Sequence, residues 1–302
     1  MPGNISEELN KCYLDFVYFC EKYVKLNQPS KGLISFKLFD YQKRYINELE
    51  KNKYLIGTKF RRGGFTTLTS VWYLWRCLFK LNEVNVIMSN SDKESKHISH
   101  MIKKIYDCLP EFITYNRKID FKGGLLFSST NSKILFVDTE VFSLGSITNL
   151  YIDDAAFING MQNRWELIYP TLSNGAKCCI MSTPNGKNNW FCSVYTNAGY
   201  NAFRVFNCSY KEHPDYNDGE WAFNMKEALG EVGWRQEVLC EFFDTQIFYN
   251  EFIWDTASNT LKSDGPPVAN WLPVGHTIQP PTVSIPAKNF TKTYNKISNI
   301  LS

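Results

Sequence analysis

The 302-residue sequence predicts an α/β fold with a mainly parallel β-sheet and helices on both of its faces. Short apolar runs alternate with stretches of helical periodicity between residues 54 and 208, which is the pattern of strand–helix–strand units. These runs are apolar at most positions, as expected for strands that are covered on both sides. Hydrophobic residues make up 44% of the chain, which is enough for one sizeable core.

The elements follow from local patterns in chain order. Apolar residues at helical spacing predict one amphipathic helix over residues 5–28 and a second over 41–51. The predicted sheet elements are strand 54–58, helix 66–79, strand 84–89, helix 92–108, a hairpin of 125–128 with 133–137, strand 147–152, helix 165–172, strand 177–182 and strand 202–208.

Composition divides the chain into three stretches. Residues 1–30 are predicted to be an N-terminal helical segment, and residues 31–245 carry the sheet. Residues 246–302 contain six of the twelve prolines and no convincing periodicity, which predicts an irregular, partly extended tail.

The charge and cysteine content exclude few classes of function. A net charge of +3 neither requires nor excludes a nucleic-acid partner, since a basic stripe can be hidden in a balanced total. The nine cysteines are scattered without metal-ligand spacing, as is typical of a reducing compartment. No apolar run approaches the roughly 20 residues that span a membrane.

A segment after the first sheet strand has the composition of an anion-binding loop. Glycines let successive N–H groups face a phosphate, and the following helix N-terminus adds its positive dipole. The usual loop ends in Gly-Lys-Ser or Gly-Lys-Thr, but here Gly64 is followed by Phe65. Lys59 can fold back over the phosphates instead, and Thr66 stands where a hydroxyl would bind Mg²⁺. A plain strand-to-helix turn with solvated arginines is the alternative interpretation.

Two later strands end in polar residues. One is followed by the adjacent acids Asp153 and Asp154, and the next ends at Ser182. The carboxyl ends of parallel strands line the ligand crevice of such a sheet. There, one carboxylate can hold Mg²⁺ while its neighbour orients or deprotonates an attacking water. An acidic strand end that caps the next helix is the alternative.

Taken in order, these segments resemble the motifs of the large terminase subunit of tailed phages. Tyr41 and Gln42 match an aromatic–Gln pair that contacts adenine in that family. Some members have a deviant Walker A loop with its lysine at the start and an aromatic residue after the second glycine, and the loop here is similar to that variant. The resemblance thus implies a nucleotide held by Tyr41, Gln42, Lys59, Gly63, Gly64, Phe65, Thr66 and Thr67.

The resemblance also implies roles for the two strand ends, and it extends over residues 30–245. The acidic strand end is similar to the family's Walker B motif, with Asp153 and Thr66 as Mg²⁺ ligands and Asp154 acting on the attacking water. The second strand end is similar to the motif that couples hydrolysis to domain movement. Its residues are Ser182, Thr183 and Pro184.

Two departures from the family pattern concern catalysis. The family usually has Asp-Glu at the Walker B strand end, and Asp154 is one methylene shorter than Glu. The family also tends to carry an Arg-Gly pair shortly before that strand, offered to a neighbouring subunit, where this sequence reads Leu144-Gly145. The candidates for an arginine finger are therefore Arg61 and Arg62.

The resemblance implies a P-loop NTPase core of the ASCE, RecA-like class, with residues 31–245 as the ATPase motor domain. Such a motor uses ATP and Mg²⁺ to move double-stranded DNA into the capsid. The implied partners are double-stranded DNA, the portal protein, the small terminase subunit and further copies of this chain in a ring. The implied location is the host cytoplasm, with no membrane as a partner. The alternative is a nucleotide-binding regulatory or structural subunit that does not hydrolyse ATP, which Phe65 and Asp154 favour.

Terminases of this family also carry a nuclease domain of ribonuclease H type, which needs on the order of 100 residues. The 56 residues after Gln246 include only the acids Glu251, Asp255 and Asp264, in a proline-rich stretch. We therefore expect no DNA cleavage by this chain alone. The nuclease is then expected on a separate chain with the tail as its dock, or the tail is a remnant without a role.

Overall fold

A mostly parallel sheet of eight strands lies at the centre of the structure, which is a computed structural model. It describes residues 4–28, 30–114, 118–121, 123–138, 145–172, 175–243, 254–255 and 260–261. All of these lie within one compact unit, Met1–Leu261, and the second unit, Lys262–Ser302, lies outside the described residues.

The strands and helices alternate along the chain as predicted. The strands are β1 (Lys25–Gln28), β2 (Gly32–Ser35), β3 (Tyr54–Thr58), β4 (Val84–Met88), β5 (Lys118–Phe121), β6 (Gly124–Phe127), β7 (Ser132–Val137), β8 (Asn149–Asp153), β9 (Lys177–Ser182), β10 (Arg204–Phe206), β11 (Trp254–Asp255) and β12 (Thr260–Leu261). The helices are α1 (Ile5–Leu14), α2 (Phe16–Tyr23), α3 (Asp40–Lys51), α4 (Phe65–Phe79), α5 (Asp92–Asp107), α6 (Glu111–Thr114), α7 (Met161–Leu172), α8 (Trp190–Thr196) and α9 (Gly219–Gly233).

The order of the sheet places the strand before the loop next to the strands that carry the polar ends. The strands run β10-β3-β9-β8-β4-β7-β6-β5, and all neighbours are parallel except β7 with β6 and β6 with β5. The predicted α/β fold and the predicted hairpin of β6 and β7 are confirmed. The edge strand β5 was not predicted.

Helices cover both faces of the sheet, as the apolar runs predicted. Within β8, Tyr151 packs into the core that α1 to α5 form on one face, whereas Leu150 and Ile152 pack on the other face with residues of α7 and α8. The helix after the loop, α4, is buried at most of its positions, including Trp72 and Trp75. These aromatic side chains are therefore part of the core.

The predicted single helix over residues 5–28 is wrong. The structure has two helices, α1 and α2, followed by β1, which pairs antiparallel with β2. Asp15 separates the helices because its backbone is extended (φ −129°, ψ 104°) and its side chain accepts a hydrogen bond from the N–H of Tyr18. This is an N-cap, which begins a new helix instead of continuing the old one.

Two helices of the last part of the chain, α8 and α9, were not predicted, and β10 is shorter than the predicted strand 202–208. Most of the predicted irregular tail lies outside the described residues. Where it is described, β11 and β12 form a short antiparallel pair, which the sequence did not indicate. Among the described residues, no helix is long and apolar enough to cross a membrane.

All nine cysteines are free thiols, and seven of them are buried. The adjacent Cys178 and Cys179 pack on opposite faces of the sheet, and both are part of the core. Burial raises the pKa of the Cys179 thiol to about 12, and it likewise raises the pKa of Cys12 and Cys240 to about 12.

Candidate active site

Three neighbouring parallel strands bring their carboxyl ends to the same edge of the sheet. In the order β3-β9-β8, Thr58 pairs with Ser182, and Asp153 pairs with Met181. The main-chain N–H of Lys59 donates to the carbonyl of Ser182 at 3.1 Å. The loop, the acidic strand end and the coupling segment predicted from the sequence therefore lie side by side.

The loop between β3 and α4 depends on its two glycines. Gly64 caps α4 with φ +77°, a left-handed conformation that favours glycine. A Cβ on Gly63 would lie 2.8 Å from the ring of Phe65 and 3.0 Å from that of Phe60. Neither position accepts a side chain without strain, so the backbone turn and the N-terminus of α4 are set by glycine.

Lys59 connects the loop to the acidic strand end. Its ammonium group donates to Asp153, lies 2.9 Å from an oxygen of Asp154 and lies 3.2 Å from the hydroxyl of Thr66. Its side chain is only 10% exposed, so the charge is held inside the site by its partners. Lys59 therefore faces both acids of the strand end, and its predicted role in place of the usual loop lysine stays a prediction.

The electrostatics of the site follow from this cluster. Burial alone would lower the pKa of Lys59, but the charges of Asp153 and Asp154 outweigh it and raise that pKa, so the lysine is a cation. Burial raises the pKa of the Asp154 carboxyl, Lys59 opposes this, and the like charge of Asp153 adds to it. The side chain of Asp154 is still 43% exposed, so it can reach a water molecule.

Asp153 and Thr66 are placed as two ligands of one metal ion would be. The Thr66 hydroxyl donates to Asp153 at 2.8 Å, and the Tyr151 hydroxyl donates to the other carboxylate oxygen at 2.8 Å. Adjacent ligands of octahedral Mg²⁺, at about 2.1 Å from the ion, are about 3 Å apart. The oxygen pair therefore fits Mg²⁺, and Tyr151 fixes the carboxylate orientation.

Tyr41 and Gln42 lie directly beneath the loop. The Tyr41 hydroxyl donates to the carbonyl of Gly63 at 2.8 Å, and the Gln42 amide donates to the same carbonyl at 3.2 Å. The other end of that amide accepts from the N–H of Phe39 at 3.1 Å. Both side chains are buried, so in this structure the pair braces the loop, and its predicted contact with adenine stays a prediction.

Two residues of the predicted nucleotide set turn their side chains away from the carboxylates. The ring of Phe65 is 1% exposed and packs against Tyr45 and Phe206, with ring centroids 5.2 and 6.0 Å away. The Thr67 hydroxyl donates to the sulfur of Met101 at 3.5 Å. Only the main chain of Phe65 and Thr67 is therefore available to a phosphate.

The two arginines of the loop are exposed, and Arg62 has a left-handed backbone (φ +63°). Arg61 contacts the segment Trp234–Val238, a π-helical turn after α9. The main-chain N–H of Arg61 donates to the main-chain carbonyl of Glu237 at 2.8 Å, and the Arg61 guanidinium lies 3.5 Å from the Glu237 carboxylate. The structure thus places the segment Trp234–Val238 against the loop.

The coupling segment is buried beside the acidic strand end. The Ser182 hydroxyl accepts from the N–H of Ala156 at 3.1 Å, and Asn185 donates to the Ala156 carbonyl at 3.3 Å. Thr183 is 6% exposed, and Pro184 is buried. The end of β9 is therefore hydrogen-bonded directly to the turn that carries Asp154.

Two residues of the site were not predicted from the sequence to take part in it. Tyr151 lies two residues before Asp153 in a strand, so the alternation of side chains predicts that both point the same way. Glu237 lies in the segment Trp234-Arg235-Gln236-Glu237, which resembles the close of the terminase motor domain, but its contact with the loop is made only by the tertiary fold and has no signal in the sequence.

Comparison with known families identifies the relatives of this arrangement. A family model described as the N-terminal part of the large terminase subunit, T4likevirus-type, matches residues 59–259. The matched span includes the loop, both acids, the coupling segment and Glu237.

Solved structures of phage large terminases have a similar fold. The ATPase domain of the Thermus phage P74-26 large terminase is 19% identical, with a TM-score of 0.58 over 68% of this chain and 94% of that one. The HK97 bacteriophage large terminase is 14% identical, with a TM-score of 0.56 over 72% of this chain and 48% of that one. A large terminase from another thermophilic bacteriophage, in complex with ATP-γ-S, is 11% identical, with a TM-score of 0.54 over 68% of this chain and 53% of that one. The chain thus spans about half the length of the last two proteins.

Proposed function

This chain belongs to the family of T4-like-virus large terminase subunits, as the ATPase domain of the phage DNA-packaging motor, and from that premise we propose that the cluster of Lys59, Asp153, Asp154 and Thr66 is its ATP-hydrolysing site. The observation that carries this proposal is the position of Lys59. One buried cation faces both acids and the hydroxyl in the first turn of α4, and a cation, carboxylates and a hydroxyl of this kind are groups that phosphoryl transfer uses.

ATP would bind with its phosphates at the N-terminus of α4. The main-chain N–H groups of the loop and the Lys59 ammonium would face the β- and γ-phosphate oxygens. Asp153 and Thr66 would hold Mg²⁺, which would supply positive charge next to the phosphates. The thermophilic phage terminase solved with ATP-γ-S has the same fold, which supports the assignment of the substrate.

Hydrolysis would follow from the position of Asp154. Its partly exposed carboxylate accepts a proton from a water molecule as the water oxygen bonds to the γ-phosphorus. The bond from that phosphorus to the bridging oxygen breaks, which leaves ADP and inorganic phosphate. Lys59 and Arg61 would stabilise the charge on the transferred group.

The function can be tested with the purified full chain, double-stranded DNA and portal. We expect ATP turnover that requires Mg²⁺. Asp153→Asn should raise the Mg²⁺ concentration needed for half-maximal turnover by about tenfold or more, because one anionic ligand is lost. Turnover that is absent under all conditions, with nucleotide binding retained, would favour the non-hydrolysing subunit instead. A metal dependence equal to that of the parent would remove the role of Asp153.

The partners of the motor are proposed from the family alone. Double-stranded DNA, the portal protein and the small terminase subunit would assemble with a ring of copies of this chain on the procapsid in the host cytoplasm.

The coupling role of the β9 strand end gives a prediction of its own. Thr183→Val keeps the shape of a buried side chain but removes its hydroxyl, so ATP binding should be unchanged while the DNA length packaged per ATP falls. Both quantities are measured in one packaging assay that also records phosphate release. Parent-like packaging per ATP would show that the hydroxyl has no coupling role.

A further inference from the structure

The hairpin of β1 and β2, residues 25–35, belongs to a stretch of the chain that contains no acid. Residues 22–39 include four lysines and neither Asp nor Glu, whereas the whole sequence has 33 Lys and Arg against 30 Asp and Glu. The small net charge of +3 therefore conceals one basic segment. The hairpin contributes no residue to the proposed ATP site.

The hairpin presents its polar side chains on one exposed face. Lys25 pairs with Ser35 and Asn27 pairs with Leu33, and all four residues are exposed. Residues that are opposite each other in a strand pair, or two apart along a strand, point to the same side, so these four share a face. Lys31 lies in the turn between the strands and is also exposed. Apart from Leu33, this face is polar and cationic.

The charges of Lys25, Lys31 and Lys37 are not neutralised by neighbouring acids. None of the three lysines forms an ion pair with an acid among the residues that the structure describes, and all three are exposed. By contrast, the exposed helix α5 also carries several lysines, but its Lys96 pairs with Asp92 one helical turn away. Three cations without counter-charges repel one another and attract a polyanion.

The shape and charge of the hairpin fit the backbone of double-stranded DNA. With a rise of about 3.3 Å per residue, Lys25 lies about 10 Å along the strand from the start of the turn. Duplex DNA carries one negative charge per about 1.7 Å of its axis, so lysines at this separation can reach different phosphates. Asn27 and Ser35 can add hydrogen bonds to phosphate oxygens. A two-stranded β-ribbon is also narrow enough to enter the major groove.

The base of the hairpin is joined to the residues that brace the phosphate loop. The N–H of Phe36 donates to the carbonyl of Val24 at 3.0 Å, which closes the base. Three residues later, Phe39 stacks on Tyr41 with ring centroids 5.8 Å apart, and the Tyr41 hydroxyl donates to the carbonyl of Gly63 at 2.8 Å. Only a few residues therefore separate the hairpin from the loop brace, which suits an element through which a motor holds its DNA.

We propose that the β1–β2 hairpin is a contact surface for the sugar-phosphate backbone of double-stranded DNA, which binds to Lys25, Lys31 and Lys37. This rests on the proposed function, which supplies double-stranded DNA as the partner of the motor. Phosphate contacts carry no base information, so binding at the hairpin is independent of DNA sequence. A motor that moves along DNA of any sequence requires contacts of this kind.

The test uses the full chain and two triple variants that lose the same charge. The hairpin variant combines Lys25→Gln, Lys31→Gln and Lys37→Gln. The control variant carries the same change at three exposed lysines outside the hairpin, which are Lys51, Lys93 and Lys211. The affinity of each protein for two duplexes of unrelated sequence is measured without ATP over a range of salt concentrations.

We expect the hairpin variant to bind both duplexes about tenfold or more weakly than the parent at low salt. The slope of log affinity against log salt concentration should be shallower by about 2 to 3, because each lost phosphate contact removes about 0.9. The control variant should keep the affinity and the slope of the parent. All three proteins should have the same melting temperature, because the substitutions lie on the surface.

Three results would overturn the inference. They are a hairpin variant with the affinity and slope of the parent, a control variant that loses as much as the hairpin variant, and a loss confined to one of the two duplex sequences. ATP turnover without DNA is measured on the same preparations and tests the proposed function separately. A parent without Mg²⁺-dependent turnover would refute that function, whereas a parent that turns over ATP but does not bind duplex DNA would refute the inference.

Discussion

Lys59→Ala is expected to weaken ATP binding by on the order of 100-fold or more and to abolish turnover. The substitution removes the buried cation that faces both Asp153 and Asp154, and no lysine follows Gly64 to replace it. Phosphates would then meet two carboxylates without that counter-charge. The measurement is equilibrium binding of ATP to the full chain, together with steady-state turnover.

The matched control for this variant is Lys53→Ala. Lys53 precedes the same strand at its opposite end, where its ammonium lies 5.1 Å from the ring of Tyr54, so the same change there should leave ATP binding intact. Removal of Lys59 should also lower stability by about 3 to 5 kcal/mol, because it leaves the buried carboxylate of Asp153 without its cation. If that prevents folding, Lys59→Arg keeps the charge, but its wider group should still bind ATP poorly. Parent-like affinity in a folded Lys59 variant would make the lysine a structural ion pair only.

Asp154→Asn is expected to keep ATP binding and to reduce hydrolysis by about 10² to 10⁴-fold. The amide retains the size of the side chain but cannot accept the proton of the attacking water. Asn is also suited to this position, because residue 154 has a left-handed backbone (φ +51°) that Asn and Asp adopt more readily than most residues. Binding of ATP-γ-S and release of phosphate are measured on the same preparation.

The pH dependence gives an independent check on Asp154. The residue acts as a base only when it is ionised, and its pKa is raised, so parent turnover should fall as the pH drops through that raised value. The residual turnover of Asp154→Asn should lack this acidic limb. Asp154→Glu restores the family's usual Asp-Glu pair and serves as the control that keeps hydrolysis. An unchanged acidic limb in Asp154→Asn would assign the base to another residue.

The parts of the fold that could be predicted are those with a strong local signal. The strands β3, β8 and β9 are apolar at most positions because they are covered on both faces, and the loop and acids directly follow them. Once the strands are parallel and adjacent, Lys59 and Asp153 must meet at one edge of the sheet. The proximity of Lys59 to the acidic strand end could therefore be expected from the sequence.

The features that the sequence did not predict depend on tertiary contacts or on a single helix N-cap. Asp15 ends one helix and begins the next in a stretch whose apolar spacing suggests one continuous helix. Glu237 lies in a turn with a mixed sequence, and its buried environment is created by Arg61 and the loop. No periodicity marks such a residue, because its partner is distant in the chain.

The free thiols have a practical consequence for watching such a motor at work. A thiol reacts as its thiolate, and burial keeps the pKa of Cys12, Cys179 and Cys240 near 12, so these residues carry little thiolate at neutral pH. A cysteine introduced at an exposed position, for instance in place of Tyr200, which is 95% exposed, would react faster with a maleimide dye than these native residues. A fluorescent reporter at such an exposed position would therefore be attached with little labelling of Cys12 and Cys179 in the core.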